Sequence, residues 1–196
     1  MIIRMLGPAD ATHYRALRLR ALREHPGAFT SSYEQDRDQP VEAAAHRLAT
    51  HAFWGAYQQA ELYGFVGLER EHRPKNRHKG TVMGMYVAPE VGGQGVGRKL
   101  VDALIAHARL NGLESLVLTV TDGNEYAQRL YASAGFRSFG VEPDAIRVGG
   151  RSCAKNHMQL DLRRTSWAFR TFPFPPPSSS GPAPARRSRP TCASRG

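Results

Sequence analysis

Between positions 92 and 97 the chain places four glycines in six residues, as Gly92-Gly93-Gln94-Gly95-Val96-Gly97, with Arg98 and Lys99 next. No other stretch constrains the fold as much, because the periodicity of the chain changes across it. Upstream, Thr81–Val87 reads as a strand that ends at Pro89. Downstream, Leu100, Val101, Leu104, Ile105 and Ala108 recur at helical spacing as one apolar face, and Gly112 stops the run. The loop therefore joins a strand to a helix. A helix start carries unpaired N–H groups and a partial positive charge. Glycines let the backbone wrap an anion closely and present consecutive N–H donors to it. A strand, a glycine loop and a helix start together form a cradle for a diphosphate. Arg98 and Lys99 add positive charge at its rim. The same residues are also compatible with a tight turn that holds no ligand.

Around this junction, strand and helix patterns alternate through residues 1–162. Met1–Met5 reads as a first strand. Asp10 or Thr12 is placed to cap a helix carrying Tyr14, Leu17, Ala21 and Leu22, which Pro26-Gly27 ends. Phe29–Asp38 reads as a polar loop or short helix, and Val41–Thr50 as a second helix. Phe53–Tyr57 and Leu62–Glu69 pair as a hairpin, and Arg70–Lys79 is a charged loop. Leu116–Val120 is strand-like, Glu125–Ala134 helical with Gly135 as its stop, and Phe136–Val141 and His157–Leu162 close the sheet. Hairpins early and a strand–helix–strand unit later predict an α/β fold on a mixed sheet of six to seven strands, with helices on both faces.

Composition divides the chain at about Leu162. The net charge of +10 invites a nucleic-acid reading. Seven of the 27 basic residues, and none of the 17 acidic ones, lie from Arg163 onward, which leaves residues 1–162 with 20 basic against 17 acidic, a net of +3. The basicity therefore sits in the terminal segment, where residues 173–184 are rich in proline and serine. Such a segment has no periodic apolar face to bury and is expected to be a disordered tail over 163–196. Its arginines lack a helical register or interleaved aromatics, so nucleic acid is expected to bind weakly at most. Two distant cysteines, Cys153 and Cys192, make neither a disulfide framework nor a metal site. With no signal-like segment or long apolar span, a cytoplasmic setting away from membranes is expected.

The P-loop pattern fails, since no Lys-Ser or Lys-Thr follows the glycines. The dinucleotide fingerprint fails as well, because Arg98 stands where a third glycine is needed. Met85-Tyr86-Val87-Ala88-Pro89-Glu90, followed by Gly93-Gln94-Gly95-Val96-Gly97-Arg98-Lys99-Leu100, resembles instead the GNAT superfamily of N-acetyltransferases. The coenzyme A signature of that family, Q/R-x-x-G-x-G/A, falls with its last two glycines on Gly95 and Gly97. Its first position is Gly92, where the family usually carries Arg or Gln. A second run, Asn124, Ala127, Leu130-Tyr131 and Gly135-Phe136, is similar to the family's N-x-x-A-x-x-L-Y-x-x-x-G-F segment. Gly27–Glu34 resembles the acceptor-side loop of some members.

The resemblance implies acetyl-CoA as cosubstrate, no metal, and direct transfer of the acetyl group to a primary amine of a small molecule or protein N-terminus. It implies two central parallel strands, Thr81–Val87 and Leu116–Val120, that splay around the pantetheine arm. By the same resemblance Tyr86 and Val87 hold that arm, and Gly92, Gly93, Gln94, Gly95, Val96, Gly97 and Arg98 hold the diphosphate. Asn124 contacts the cofactor, Tyr131 is the general acid for the departing thiolate, and Phe29, Ser32 and Glu34 meet the acceptor. Read from the residues alone, Tyr131 is equally a core side chain on the apolar face of its helix. Some relatives place a glutamate base five residues before the asparagine, where this chain has Thr119. Glu34, Glu69 and His78, a chain of waters or an amine already neutral remain as alternatives for the base. Ala154 and Lys155 stand where similar chains carry an acidic pair. A degenerate fold that binds acyl-CoA without turnover is the competing reading, and a homodimer is the assembly the resemblance suggests.

Overall fold

A computed structural model describes residues 1–163. The tail expected over 163–196 lies outside the described residues, apart from Arg163. Strand β1 (Ile2–Leu6) leads through a 3₁₀ turn at Pro8–Asp10 into helix α1 (Ala11–Glu24). The short helix α2 (Tyr33–Arg37) and helix α3 (Val41–Thr50) follow. Next come the hairpin β2 (Ala52–Gln58) and β3 (Glu61–Arg70), strand β4 (Lys79–Val87) and helix α4 (Val96–Leu110). Strand β5 (Ser115–Thr121), helix α5 (Glu125–Ser133) and strands β6 (Arg137–Val148) and β7 (Arg151–Asp161) complete the domain.

The seven strands form one sheet in the order β1-β2-β3-β4-β5-β7-β6. Only β4 and β5 run parallel; every other pair is antiparallel. Helix propensity and capping explain the local choices. Ser32 caps α2 by accepting from the Gln35 N–H, and the Gln35 side chain returns to the Ser32 N–H. Asp10 stands at the N-cap position of α1 but makes no cap there. Its carboxylate instead takes the Gly7 N–H, the Arg4 guanidinium and the Tyr57 hydroxyl.

Central strands bury both faces, which explains their long apolar runs. Phe53, Tyr57 and Phe65 pack beneath α1 and α3 with Tyr14 and Leu17. Trp54, Val66, Leu68 and Leu116 pack against Leu100, Val101, Leu104 and Ile105 of α4. Each of those four α4 side chains contributes roughly 1.5–3 kcal/mol by leaving water.

The last hairpin is longer than its sequence suggests. β6 and β7 pair as far as Val148 and Arg151, and turn through Gly149 and Gly150 with φ of 55° and 78°. Both positions of this two-residue turn need positive φ, so the Gly-Gly pair is a hairpin signal. The expected gap between Val141 and His157 is therefore part of the sheet.

Candidate functional site

The site begins where two strands part. β4 and β5 pair only through Lys79, Gly80 and Thr81 against Ser115, Leu116 and Val117. Beyond Thr81, β4 stays with β3, while β5 stays with β7 as far as Thr121. A bulge widens the gap: Phe65 to Gly67 on β3 spans two steps, whereas their partners Tyr86 and Met83 on β4 are three apart. The extra residue lies next to Gly84, whose φ is +58°. Between the strands opens a cleft of about 600 Å³.

The glycine loop stands at the end of β4. Gly93 and Gly95 adopt φ of +72° and +71°, a left-handed conformation that other residues resist. Gly95 is the N-cap residue of α4, so the helix begins at Val96. Lys99 N–H is the first to bond back, to Gly95 O at 3.1 Å. Among the described residues, the six N–H groups from Gly93 to Arg98 have no hydrogen-bond partner. This run of donors at a helix start fits a diphosphate, both in charge and in directional donors. At Gly97 an added Cβ would lie 3.1 Å from Leu130 Cδ2 and 3.2 Å from Met85 Cε, so glycine there keeps α4 close to α5 and β4.

Two expectations for the loop are corrected. Gly92 donates its N–H to Pro89 O at 2.9 Å, so the cradle starts at Gly93. Arg98 does not turn its side chain to the rim: it bonds Asp102 at 2.8 Å and Ser133 O at 2.9 Å, tying α4 to the end of α5. Its backbone N–H remains in the cradle.

At the cleft wall, Ala88 N–H donates to Tyr63 O at 2.7 Å. Antiparallel strands bond at alternate residues, so Tyr86 and Ala88 face β3, and the Val87 N–H and C=O face the side β5 has vacated. Tyr86 is therefore turned toward β3, not toward the pantetheine side where the resemblance puts it. Tyr86 packs with the α1 side, and its hydroxyl donates to Glu24 Oε2 at 2.6 Å. Met85 lines the cleft in its place.

Tyr131 also lines the cleft and is only 7% exposed. Its ring meets Phe136 edge-on at 5.7 Å, and its hydroxyl donates to the Met85 thioether at 3.4 Å, a weak acceptor. Burial pushes its phenol well above the usual tyrosine range, so it holds its proton. Asn124 caps α5 by accepting from Ala127 N–H at 3.1 Å and lines the same cleft.

The opposite wall comes from the α1 side of the sheet. Thr121 donates to Gly27 O at 2.5 Å. Lys155, nearly fully buried, donates to Gly27 O and Ala28 O at 3.2 Å each and to Thr121 at 3.0 Å. Burial lowers the Lys155 ammonium below the usual lysine range. Together they staple the turn after α1 to the sheet and set Phe29 and Ser31 over the cleft. Phe29 lines this cleft and also the hollow next to it. Ser32 and Glu34 line an adjoining hollow of about 420 Å³ beside the tip of the β6–β7 hairpin, which shares Phe29, Thr30 and Ser31 with the cleft, and Ser32 also caps α2. Neither Glu69 nor His78 lines the cleft, since both lie where β4 pairs normally with its neighbours. His157 does line it, bonded to Glu142 Oε2 at 3.1 Å, and it escaped the sequence reading. Among the described residues, no cluster of three His, Cys, Asp or Glu side chains is arranged to hold a metal.

A profile of the acetyltransferase (GNAT) family matches residues 18–136. The chain belongs to the GNAT acetyltransferase family. An L-methionine sulfoximine/L-methionine sulfone acetyltransferase of Pseudomonas aeruginosa is 35% identical over 106 residues, which is 54% of this chain and 61% of the relative. A mycothiol acetyltransferase of Thermobispora bispora is 33% identical over 140 residues, 68% of this chain and 45% of the relative. The chain thus covers less than two thirds of the length of either. Among solved structures, a GNAT acetyltransferase of Streptococcus pneumoniae superposes with a TM-score of 0.75 at 23% identity, covering 82% of this chain and 98% of that one. A putative acetyltransferase of Salmonella typhimurium with its cofactor acetyl-CoA superposes at 0.72 and 24% identity, covering 86% and 98%. These likenesses show that the sheet with its parted central strands is the GNAT fold.

Proposed function

We propose that this GNAT chain transfers the acetyl group of acetyl-CoA directly to a primary amine of a small molecule. The observation that carries the reading is the run of six unbonded N–H groups, Gly93 to Arg98, in the loop that leads from β4, the strand that parts from β5, into α4. Those groups would hold the diphosphate. The pantetheine arm would follow the vacated edge of β4, where the Val87 N–H is free to meet the thioester oxygen and polarise the carbonyl. The amine attacks the carbonyl carbon, a C–N bond forms and the C–S bond breaks. Tyr131 supplies the proton to the leaving sulfur, and its raised pKa keeps that proton available at neutral pH.

The charge of the cleft bears on the acceptor. Its lining includes Arg18, Arg47 and Lys155 and, among the described residues, no aspartate or glutamate. Arg18 is matched by Asp36 behind it, whereas Lys155 has only neutral partners. An amine that also carries an acid group fits such a wall, and the same field lowers the pKa of a nearby ammonium. Methionine sulfoximine, in the name of one relative, is an amine of this kind.

The deciding assay is release of free CoA thiol from acetyl-CoA across a panel of amines, pairing amino acids with their amides. Amine-dependent release, faster with the free acids, is the expected result. Tight acetyl-CoA binding with no release for any amine would instead support a binding module without turnover.

A further inference from the structure

We propose that His157, oriented by Glu142, takes the proton from the acceptor's ammonium group. This inference rests on the acetyl-transfer reading above and adds to it the missing proton acceptor. The position five residues before Asn124 is Thr119, which cannot act as a base. Thr119 lies directly opposite His157 across the β5–β7 ladder. Directly opposed residues project from the same face of a sheet. The imidazole therefore stands beside the position that Thr119 leaves without a base, on the neighbouring strand and in the same cleft.

The surroundings suit a proton acceptor. His157 Nε2 lies 3.1 Å from Glu142 Oε2, so the Nε2–H donates to the carboxylate and leaves the Nδ1 lone pair available. The Phe139 ring meets the imidazole edge-on at 5.8 Å and limits its rotation. Side chains that line the cleft with it from the other elements are Arg18 of α1, Arg47 of α3, His51 after α3, and Lys155 of its own strand. Their positive charges oppose an ammonium in the cleft and so promote release of its proton.

The proton balance closes. One proton passes from R–NH₃⁺ to Nδ1 of His157 before attack and is later shed to water. The second leaves nitrogen as the C–S bond breaks, and it replaces the proton that Tyr131 gives the sulfur. The products are the amide, CoA–SH and one H⁺.

The test measures kcat/KM for one turned-over amine against pH, for the wild type, His157→Gln and Glu142→Gln, with acetyl-CoA affinity by calorimetry to confirm each fold. The wild-type rate should rise with pH along a limb set by a single group of the free enzyme losing its proton. His157→Gln should abolish that limb and lower the neutral rate by roughly 10²–10⁴-fold, with the deficit shrinking at high pH where the amine is neutral unaided. Glu142→Gln should keep the limb but move it to lower pH, a change that lost packing alone would not cause. A His157→Gln rate within about twofold of wild type, or an unmoved limb in Glu142→Gln, overturns the assignment and leaves acetyl transfer intact. No turnover by the wild type with any amine overturns both.

Discussion

A phenol that keeps its proton and touches only a thioether is poorly used as a core side chain. Buried hydroxyls normally find an oxygen or nitrogen partner, yet Tyr131 has Met85 Sδ at 3.4 Å and the cleft beside it. A departing thiolate would be a far stronger acceptor than a thioether. Tyr131→Phe should therefore lower kcat by roughly 10²-fold or more while acetyl-CoA affinity stays at the wild-type value, because the ring still packs on Phe136. Single-turnover rates check the first part and calorimetry the second; an unchanged rate would return Tyr131 to the core. Gly95 is argued the other way. Its φ of +71° is one a β-branched residue rarely adopts, and it positions the N–H groups on both sides of it. Gly95→Val should weaken acetyl-CoA binding by about tenfold or more; its Cβ meets no neighbour within 4 Å, so the loss of stability it brings is the backbone strain at this φ, roughly 1–3 kcal/mol, and affinity is read well below the melting transition. Wild-type affinity in that variant would place the diphosphate elsewhere.

At the scale of elements, helix α5 shows what pattern reading captures and what it leaves behind. Asn124, Ala127 and Tyr131 were legible as one run, and the structure seats all three on the cleft. One physical requirement explains both the run and the fold: an N-cap that starts the helix and a face that returns to the gap between β4 and β5. Asn124→Ala removes the bond to Ala127 N–H and should cost about 1 kcal/mol of stability. It should also lower turnover more than a stability loss alone would, because the start of α5 sets where Tyr131 stands; a denaturant melt beside a kinetic assay separates the two. The parallel pair β4 and β5 was implied by the family resemblance, while the element order alone gave a mixed sheet. The bulge at Gly84 was not legible, since a lone glycine in a strand does not reveal how the partner strand counts. The capping box of Ser32 with Gln35 is a purely local preference that the acceptor-loop resemblance did not reveal. His157 was overlooked because its partner Glu142 lies fifteen residues away on another strand, and no local period connects them.

At the scale of the molecule, one charged cluster that holds the fold, the group around Asp10, is separate from the charges that line the cleft, and this separation can be measured. Asp10 joins β1, α1 and β2 through Arg4 at 2.6 Å, Gly7 N–H at 2.9 Å and Tyr57 OH at 2.9 Å, and the Arg4 guanidinium lies 4.2 Å over the Tyr57 ring. The hydrogen bond from Arg4 holds the Asp10 carboxyl well below the usual carboxylate range. Burial, with the bond to Asp10, pushes the Tyr57 phenol up to about 12. The signs follow from linkage. Asp10, its folded pKa depressed, contributes its full stability above its unfolded value near ~3.9 and loses it as pH falls below that. Tyr57, its folded pKa raised, contributes fully below its unfolded value near ~10 and loses that contribution as pH rises through about 12. Urea melts across pH should therefore show Asp10→Asn less stable than wild type at pH 7, with the gap closing in acid. Tyr57→Phe should be less stable than wild type at neutral pH and converge with it only above about pH 12. None of these residues lines the cleft, so both variants should keep the wild-type pH–rate profile wherever they stay folded. A profile that moved with either substitution would mean that the sheet edge and the cleft titrate as one system, and the assignment of the rate limb to the cleft would have to be withdrawn.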